Sequence, residues 1–349
     1  MSHTYKNLYP IIYDFESLYL AYQRARKGKG WRNEILTFKS NLEENLIHIQ
    51  NELIWKTYQS GSYRHFKIHE PKERDVAALP FRDRVVHHAL VDAIQPVFES
   101  RFIHHSYACR AGKGTHAGAD AAQRMMRIVK RNHGRVYALK ADISKYFASI
   151  DHDVLLRLIE KRIACQDTLW LIKSILSTTS SPGIPLGNLT SQLFANIYLD
   201  ALDQFVKHDL KAQHYARYMD DFVILHHNKT QLHLWLDEIQ AFLSKELKLK
   251  TNHKTQIFPV HHKSGRGLDF LGYRILPTHR KLRKDSVKRF KTRLKRMQKQ
   301  YKNGDIDLHQ VRQQITSWLA HARHANSIET ITKILSKASF IKHQQKTIK

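Results

Sequence analysis

Apolar residues recur along this chain with two different periods, and the points where the period changes divide it. In residues 33–54, NEILTFKSNLEENLIHIQNELI, the residues Ile35, Phe38, Leu42, Leu46, Ile49 and Leu53 fall three and four apart, a spacing that predicts one amphipathic helix. After a turn at Gly61, YRHFKIHEP reads as a short strand, and a mixed, basic segment runs over about 72–134. From about 135, RVYALKADISKYF alternates apolar and polar and ends its strand at Asp142, while DHDVLLRLIEKRI opens with capping residues, Asp151 among them, and turns helical.

The Pro and Gly cluster of SSPGIPLGNLTSQ then forces a loop, beyond which Leu193, Phe194, Ile197, Tyr198, Leu202 and Phe205 return at helical spacing. ARYMDDFVIL, residues 216–225, predicts a strand pair with two adjacent aspartates at its tip. Another helix is expected over about 230–250, followed by LKLKTNHKTQIFPV and a hairpin-like GLDFLGYRI. In RKLRKDSVKRFKTRLKRMQKQYKNG, a narrow stripe of Val287, Phe290, Leu294, Met297 and Tyr301 predicts a helix capped by Asp285 or Ser286 and stopped at Gly304. DLHQVRQQITSWLAHARHA and SIETITKILSKASFI each offer a further stripe, so the C-terminal part reads as a small helical bundle.

Charge changes this picture most. The 349 residues carry a formal charge of +27 with a pI near 10.0, far more than solubility requires, which points to a polyanion such as nucleic acid; an anionic membrane surface is the alternative. Twelve of the 23 residues from 280 to 302 are Lys or Arg against one acid, so that helix face is expected to meet phosphate. No apolar run reaches transmembrane length, and Asp14 and Glu16 interrupt what a signal peptide would need; a cytoplasmic protein is expected. Cys109 and Cys165 form no CxxC motif, and the paired histidines have no i, i+4 ligand spacing with a carboxylate, so a zinc site is not expected. AGKGTHAG fails the GxxxxGK[ST] pattern, which removes a P-loop ATPase.

The aspartates are the candidate chemistry. Asp142 at one strand end and Asp220 and Asp221 at a second tip can lie side by side in one sheet and hold hard divalent cations through oxygen, suited to in-line displacement at phosphorus. An acidic surface hairpin would show the same residues. Backbone N–H groups between Ile143 and Phe147 could cradle a triphosphate. Gly187 suits a close backbone approach, or is simply a loop glycine before a helix.

The ordered set Asp142, Phe147, IPLGNLTSQ, YMDD, Lys254 and FLGY closely resembles the palm motifs of reverse transcriptases over roughly residues 60–280. The resemblance implies an α+β right-hand polymerase: an N-terminal helical extension (1–60), helical fingers (61–135), an antiparallel-sheet palm (136–278, with a fingers insertion near 155–182) and a basic helical thumb (279–349). It implies two Mg²⁺ ions on Asp142, Ile143, Asp220 and Asp221, with Asp220 the more essential aspartate. Phe147 becomes a steric gate against a 2′-hydroxyl, where viral RNA-copying polymerases usually carry an aspartate; a core aromatic is the other reading.

Lys254 becomes a proton donor to pyrophosphate, or is a solvated lysine. Phe270, Leu271, Gly272 and Tyr273 become the primer grip. Leu186, Gly187 and Gln192 line the nucleotide loop, and Arg82, Arg84 and Arg110 are candidates for triphosphate or template contact. Lys288, Arg289, Lys291, Arg293, Lys295 and Arg296 are expected to bind nucleic acid. Partners implied are template RNA, primer and cDNA, and dNTPs, with no membrane.

Most reverse transcriptases carry QGxxxSP in the nucleotide loop. LGNLTSQ replaces both the Gln and the Pro and resembles the reverse transcriptases of diversity-generating retroelements, supported by RDRVVHHAL, YACRAGKGTHAG and SQLFANIYL. That family copies a template-repeat RNA with errors opposite adenines and works with a small pentameric helical accessory protein. Group II intron enzymes are an alternative that usually adds a maturase region, for which no chain remains after residue 349. Retron and defence enzymes, and a catalytically idle RNA-binding scaffold, are others.

Overall fold

The computed structural model describes residues 4–69, 73–261 and 266–341. Helices α1 (Tyr9–Tyr13), α2 (Phe15–Arg26), α3 (Asn33–Ser40) and α4 (Leu42–Ile54) lead to the hairpin β1 (Arg64–Ile68) and β2 (Arg74–Ala78). Helices α5 (Phe81–Glu99) and α6 (Thr115–His133) follow, then β3 (Tyr137–Asp142), α7 (His152–Glu160), α8 (Gln166–Leu176) and α9 (Leu189–Gln204). Strands β4 (Tyr215–Tyr218) and β5 (Asp221–His226), helix α10 (Lys229–Leu247) and strand β6 (Gln256–Pro259) come next. Strands β7 (Leu268–Phe270), β8 (Tyr273–Ile275) and β9 (Arg280–Leu282) and helices α11 (Lys284–Asn303), α12 (Leu308–Ala322) and α13 (Ile328–Leu335) complete the set.

The central sheet has the order β4-β5-β3-β6, antiparallel throughout. Strand alternation gives it two apolar faces. Leu139, Ala141, Phe222 and Ile224 join a core built with α1–α5 and α7–α10. Ala138, Val223 and Leu225 join a second core with α6, the β7-β8-β9 sheet and the C-terminal helices. The sheet is therefore clamped on both sides, which fixes where its strand ends point.

The first core joins residues of the N-terminal helices, from Leu8 on, to those of the central sheet and α7–α10, so the N-terminal helices pack as part of the main body. Backbone bonds between Tyr5 and residues 162 and 164 reinforce this.

Three local expectations need correction. The helix expected over 33–54 is two helices, because Asn41 leaves helical geometry and the Asn45 side-chain Nδ2 donates to the Phe38 carbonyl at 3.0 Å, capping α3. Beyond α9, the chain from Phe205 to Asp209 widens into a π-helical turn that the α spacing did not foretell. Helix α11 starts at Lys284 with Arg283 at its N-cap, so Asp285 lies in the first turn, where it favours the positive helix end. Gly304 adopts the left-handed C-terminal position as expected, with φ 83°, and Asp151 caps α7 by accepting from the Val154 amide at 3.0 Å.

The C-terminal stripe packs as its spacing predicts: Phe290, Leu294, Met297 and Tyr301 are buried and Phe290 stacks on Trp318 with ring centroids 3.7 Å apart. Among the described residues no helix is long and apolar enough to cross a membrane.

Candidate active site

Strands β4 and β5 are joined by Met219 and Asp220, with Met219 at φ 55°. Opposite them β3 ends at Asp142, whose register partner across the β3–β5 ladder is Asp221. Directly opposed residues of an antiparallel pair share a face with their Cβ atoms roughly 5 Å apart, so this register sets two carboxylates side by side, with Asp220 on the adjoining turn. The Ile143 amide donates to the Asp220 carbonyl at 3.3 Å, and the Asn252 amide to the Asp142 carbonyl at 2.6 Å. These bonds pin Asp142 between the aspartate turn and the segment before β6.

Electrostatics at the tip are unfavourable in the protein alone. Burial, followed by the Asp142 charge, pushes the Asp220 carboxyl up to about 6. Burial raises Asp221 to about 7, with the neighbouring aspartates adding to it and Lys140 opposing it. The Lys140 ammonium stands 3.5 Å from Asp221 Oδ2, yet buried Asp221 Oδ1 has no hydrogen-bond partner. A buried acceptor left unmatched beside a second carboxylate is costly, and a divalent cation would relieve both penalties.

Beneath the turn lies a group the sequence reading missed. Arg217 is fully buried and bidentate to Asp203 of α9, at 2.7 and 2.6 Å, and its third nitrogen donates to the Met219 carbonyl at 2.9 Å. Asn196 Oδ1 and Ser106 Oγ also accept from it, and the Tyr215 hydroxyl donates to Asp203 at 2.7 Å. A satisfied, planar guanidinium of this kind holds the left-handed Met219, and with it the aspartate turn, from below. The signal was present: strand alternation places Arg217 on the core face, and Asp203 sits in the apolar stripe of α9, so each required a partner.

The loop before α9 docks on the β1–β2 hairpin. The Ala77 amide donates to the Leu186 carbonyl at 2.9 Å, and Gly187 takes φ 126° where a Cβ would lie 2.5 Å from the Ala77 carbonyl oxygen. Glycine is thus required by both conformation and approach. Leu186 is half-buried and Gln192 exposed. Phe147 lies on a short 3₁₀ turn, half-buried, edge-on to Tyr146 at 5.6 Å, with its carbonyl accepting from the Ile184 amide at 2.9 Å.

A cavity of about 380 Å³ opens beside the carboxylates, and Asp142, Asp221, Lys140 and Lys254 line it together with Arg266 and Arg283. The structure therefore brings Lys254 to the aspartates. The FLGY turn belongs to β7–β8, whose Asp269 lines the same cavity; Leu271 and Gly272 both have positive φ, 51° and 87°, the tight hairpin geometry. Lys288, Arg289, Lys291, Lys295 and Arg296 are exposed along α11, and Arg293 is half-buried.

The three arginines expected at the triphosphate or template each meet an acid of the protein itself. Arg84 is paired with Glu34 and donates to the Leu79 carbonyl, Arg82 with Glu52, and Arg110 with Glu99 and the carbonyls of Ile103 and Ser106. Each guanidinium is thus anchored to an acid within the protein. Exposed Arg74 at the start of β2 instead stands close enough to favour the ionised form of Asp220; flanked by acids and without a helical or strand stripe of its own, it gave no signal in the pattern.

Comparison with known proteins follows the same lines. Residues 67–275 match the family described as reverse transcriptase (RNA-dependent DNA polymerase). Protein YkfC of Escherichia coli K12 is 26% identical over 284 residues, covering 68% of this chain and 73% of YkfC. The group II intron-encoded protein LtrA of Lactococcus lactis is 26% identical over 222 residues, 59% of this chain but only 36% of LtrA. Apo telomerase from Candida tropicalis, truncated from its C-terminal domain, aligns over 67% of this chain and 59% of that one, at 13% identity and a TM-score of 0.49.

Proposed function

This chain belongs to the reverse transcriptase family and is an RNA-directed DNA polymerase with a right-hand fold, and from that premise we propose that it copies RNA into cDNA at Asp142, Asp220 and Asp221, with two Mg²⁺ ions. The observation that carries the assignment is the strand-end register that opposes Asp142 to Asp221 while leaving Asp221 Oδ1 unmatched. Among the described residues no three His, Cys, Asp or Glu side chains form a ready metal cage. Mg²⁺ held on the aspartates would complete its shell with substrate phosphate, water and backbone oxygen, here that of Ile143. Bound there, the ions supply activation of the primer hydroxyl and neutralisation of the leaving phosphate.

The residues around the ions divide the remaining work. Arg74 and the backbone from Ile143 to Phe147 hold the triphosphate. Phe147, stiffened by Tyr146 behind it, excludes a ribose 2′-hydroxyl. Lys254 delivers a proton to departing pyrophosphate from within the same cavity. FLGY seats the primer, and the exposed cations of α11 follow the duplex backbone. Primer extension on RNA with Mg²⁺ and dNTPs, lost in Asp220→Asn while RNA binding persists, tests the assignment; equal extension by the variant rejects it, and an idle RNA-binding scaffold would extend nothing.

Within the family, LGNLTSQ supports a diversity-generating enzyme that copies a template repeat with errors opposite adenine, alongside a pentameric helical accessory protein. Where most relatives offer a glutamine amide, half-buried Leu186 offers no hydrogen bond to the nucleotide site. Leu186→Gln should narrow the error spectrum, and an unchanged spectrum rejects this role. The similarity to group II intron-encoded LtrA favours a second reading, an intron-like enzyme whose cDNA shows no adenine bias.

A further inference from the structure

Four side chains from three separate elements meet behind the FLGY turn. The Tyr273 hydroxyl lies 2.9 Å from His116 Nδ1 on α6, 3.0 Å from His321 Nδ1 and 3.0 Å from the His321 carbonyl on α12. The His321 ring stacks on Tyr273 at 4.6 Å, and His324, just beyond α12, stacks on His116 at 3.7 Å. The turn itself is gripped from both sides. A Cβ on Gly118 would lie 2.5 Å from Leu271 Cδ1, and one on Gly272 would lie 3.0 Å from the His321 ring.

The hydrogen bonds fix the protons. A carbonyl only accepts, so the phenol proton goes to the His321 carbonyl, and the hydroxyl's two lone pairs then receive Nδ1–H from His116 and His321. Burial and the neighbouring imidazoles hold both rings below the usual histidine range, hence neutral near pH 7. The Arg280 guanidinium lies over the Tyr273 ring at 5.4 Å and is paired with Asp120 of α6 at 2.6 Å. Tyr273 is buried and His116 and His321 are half-buried, and a hydroxyl satisfied on all three sides in this way favours one arrangement of the elements that reach it.

We propose that His116 and His321 are positioning residues for polymerisation: through the Tyr273 hydroxyl they latch the FLGY turn to α6 on one side and to α12 on the other, so that the turn keeps the primer end in place between nucleotide additions. The latch rests on the reading of FLGY as the primer grip. It predicts that primer retention, and not only folding, depends on two Nδ1–H donors at these positions.

The test measures dissociation of a labelled primer–RNA template from the full-length protein, chased with a polyanion trap, alongside single-nucleotide addition. Each hydrogen bond contributes on the order of 1 kcal/mol, so His116→Ala and His321→Ala should each release primer about fivefold faster. His116→Asn and His321→Asn put an amide N–H near the Nδ1 position and should restore release to within about twofold of the parent. Circular dichroism and melting identify any variant that fails to fold, in which case the Asn variants alone decide: parental retention supports the latch and rapid release overturns it. Folded Ala variants that retain primer as the parent does also overturn it. A parent chain that cannot extend any primer refutes the polymerase reading instead, so the two failures are separable.

Discussion

Replacing Asp221 by Asn should stabilise the metal-free protein at alkaline pH and do less near pH 5. The Asp221 carboxyl is carried from 3.8 to about 7 by burial and by the neighbouring aspartates. A group whose folded value is raised contributes stability that is complete below its unfolded value, near 4, and is lost as pH rises through 7. At about 1.4 kcal/mol for each pH unit the full span is about 4 kcal/mol. The side chain is 28% exposed, with Lys140 at 3.5 Å, so solvent screening brings a realistic value to about 2 kcal/mol. Urea unfolding with a chelator at pH 5 and pH 8 reads it: more than a third of the contribution is already lost at pH 5, so the stability gap between variant and parent should widen by about 1 kcal/mol in favour of the variant at pH 8. Adding Mg²⁺ at pH 8 should stabilise the parent more than the variant. Parallel stability curves for the two proteins, unaffected by Mg²⁺, would refute the argument that the aspartate tip stores electrostatic strain.

Other perturbations address other joints. Arg217→Met leaves Asp203 buried and unpaired and should cost about 3–5 kcal/mol in urea unfolding, whereas Arg217→Met with Asp203→Leu should recover much stability yet stay inactive, because the Met219 carbonyl has lost its anchor. Gly187→Ala forces a Cβ onto the Ala77 carbonyl at positive φ and should lower stability by about 2 kcal/mol, visible as a reduced melting temperature. Phe147→Ala should raise ribonucleotide use relative to dNTPs roughly ten- to a hundredfold in single-nucleotide incorporation. Lys288→Ala or Lys291→Ala should each flatten the slope of log K against log salt for RNA by about 1, measured by fluorescence anisotropy.

The pattern of the chain carried unequal amounts of this structure. The helical stripe from Phe290 to Tyr301 became one buried face, as its period specifies, and the alternation ending at Asp142 became a strand packed on both sides, with Leu139 and Ala141 in one core and Ala138 in the other. The break at Asn41 was not legible, since it depends on the Asn45 side-chain Nδ2 reaching the Phe38 carbonyl, a choice between two local geometries that hydrophobic spacing does not distinguish. The site divided in the same way. Asp142, Asp221 and Lys254 stand in chain segments that lead directly to one cavity, whereas the surroundings of Arg82, Arg84 and Arg110 turned on which of several acids each would meet, an outcome of tertiary packing. Arg217 and Asp203 lie 14 residues apart, each an anomaly in an apolar face; their mutual need was the one legible clue to the support beneath the aspartate turn.

The most direct test of the central claim is sequencing of the products made by the purified chain on a defined RNA template with a DNA primer, Mg²⁺ and all four dNTPs, beside Asp220→Asn. The account predicts cDNA complementary to the template from the parent chain and none from the variant or with a chelator present. Template-complementary cDNA made equally well by Asp220→Asn would contradict it.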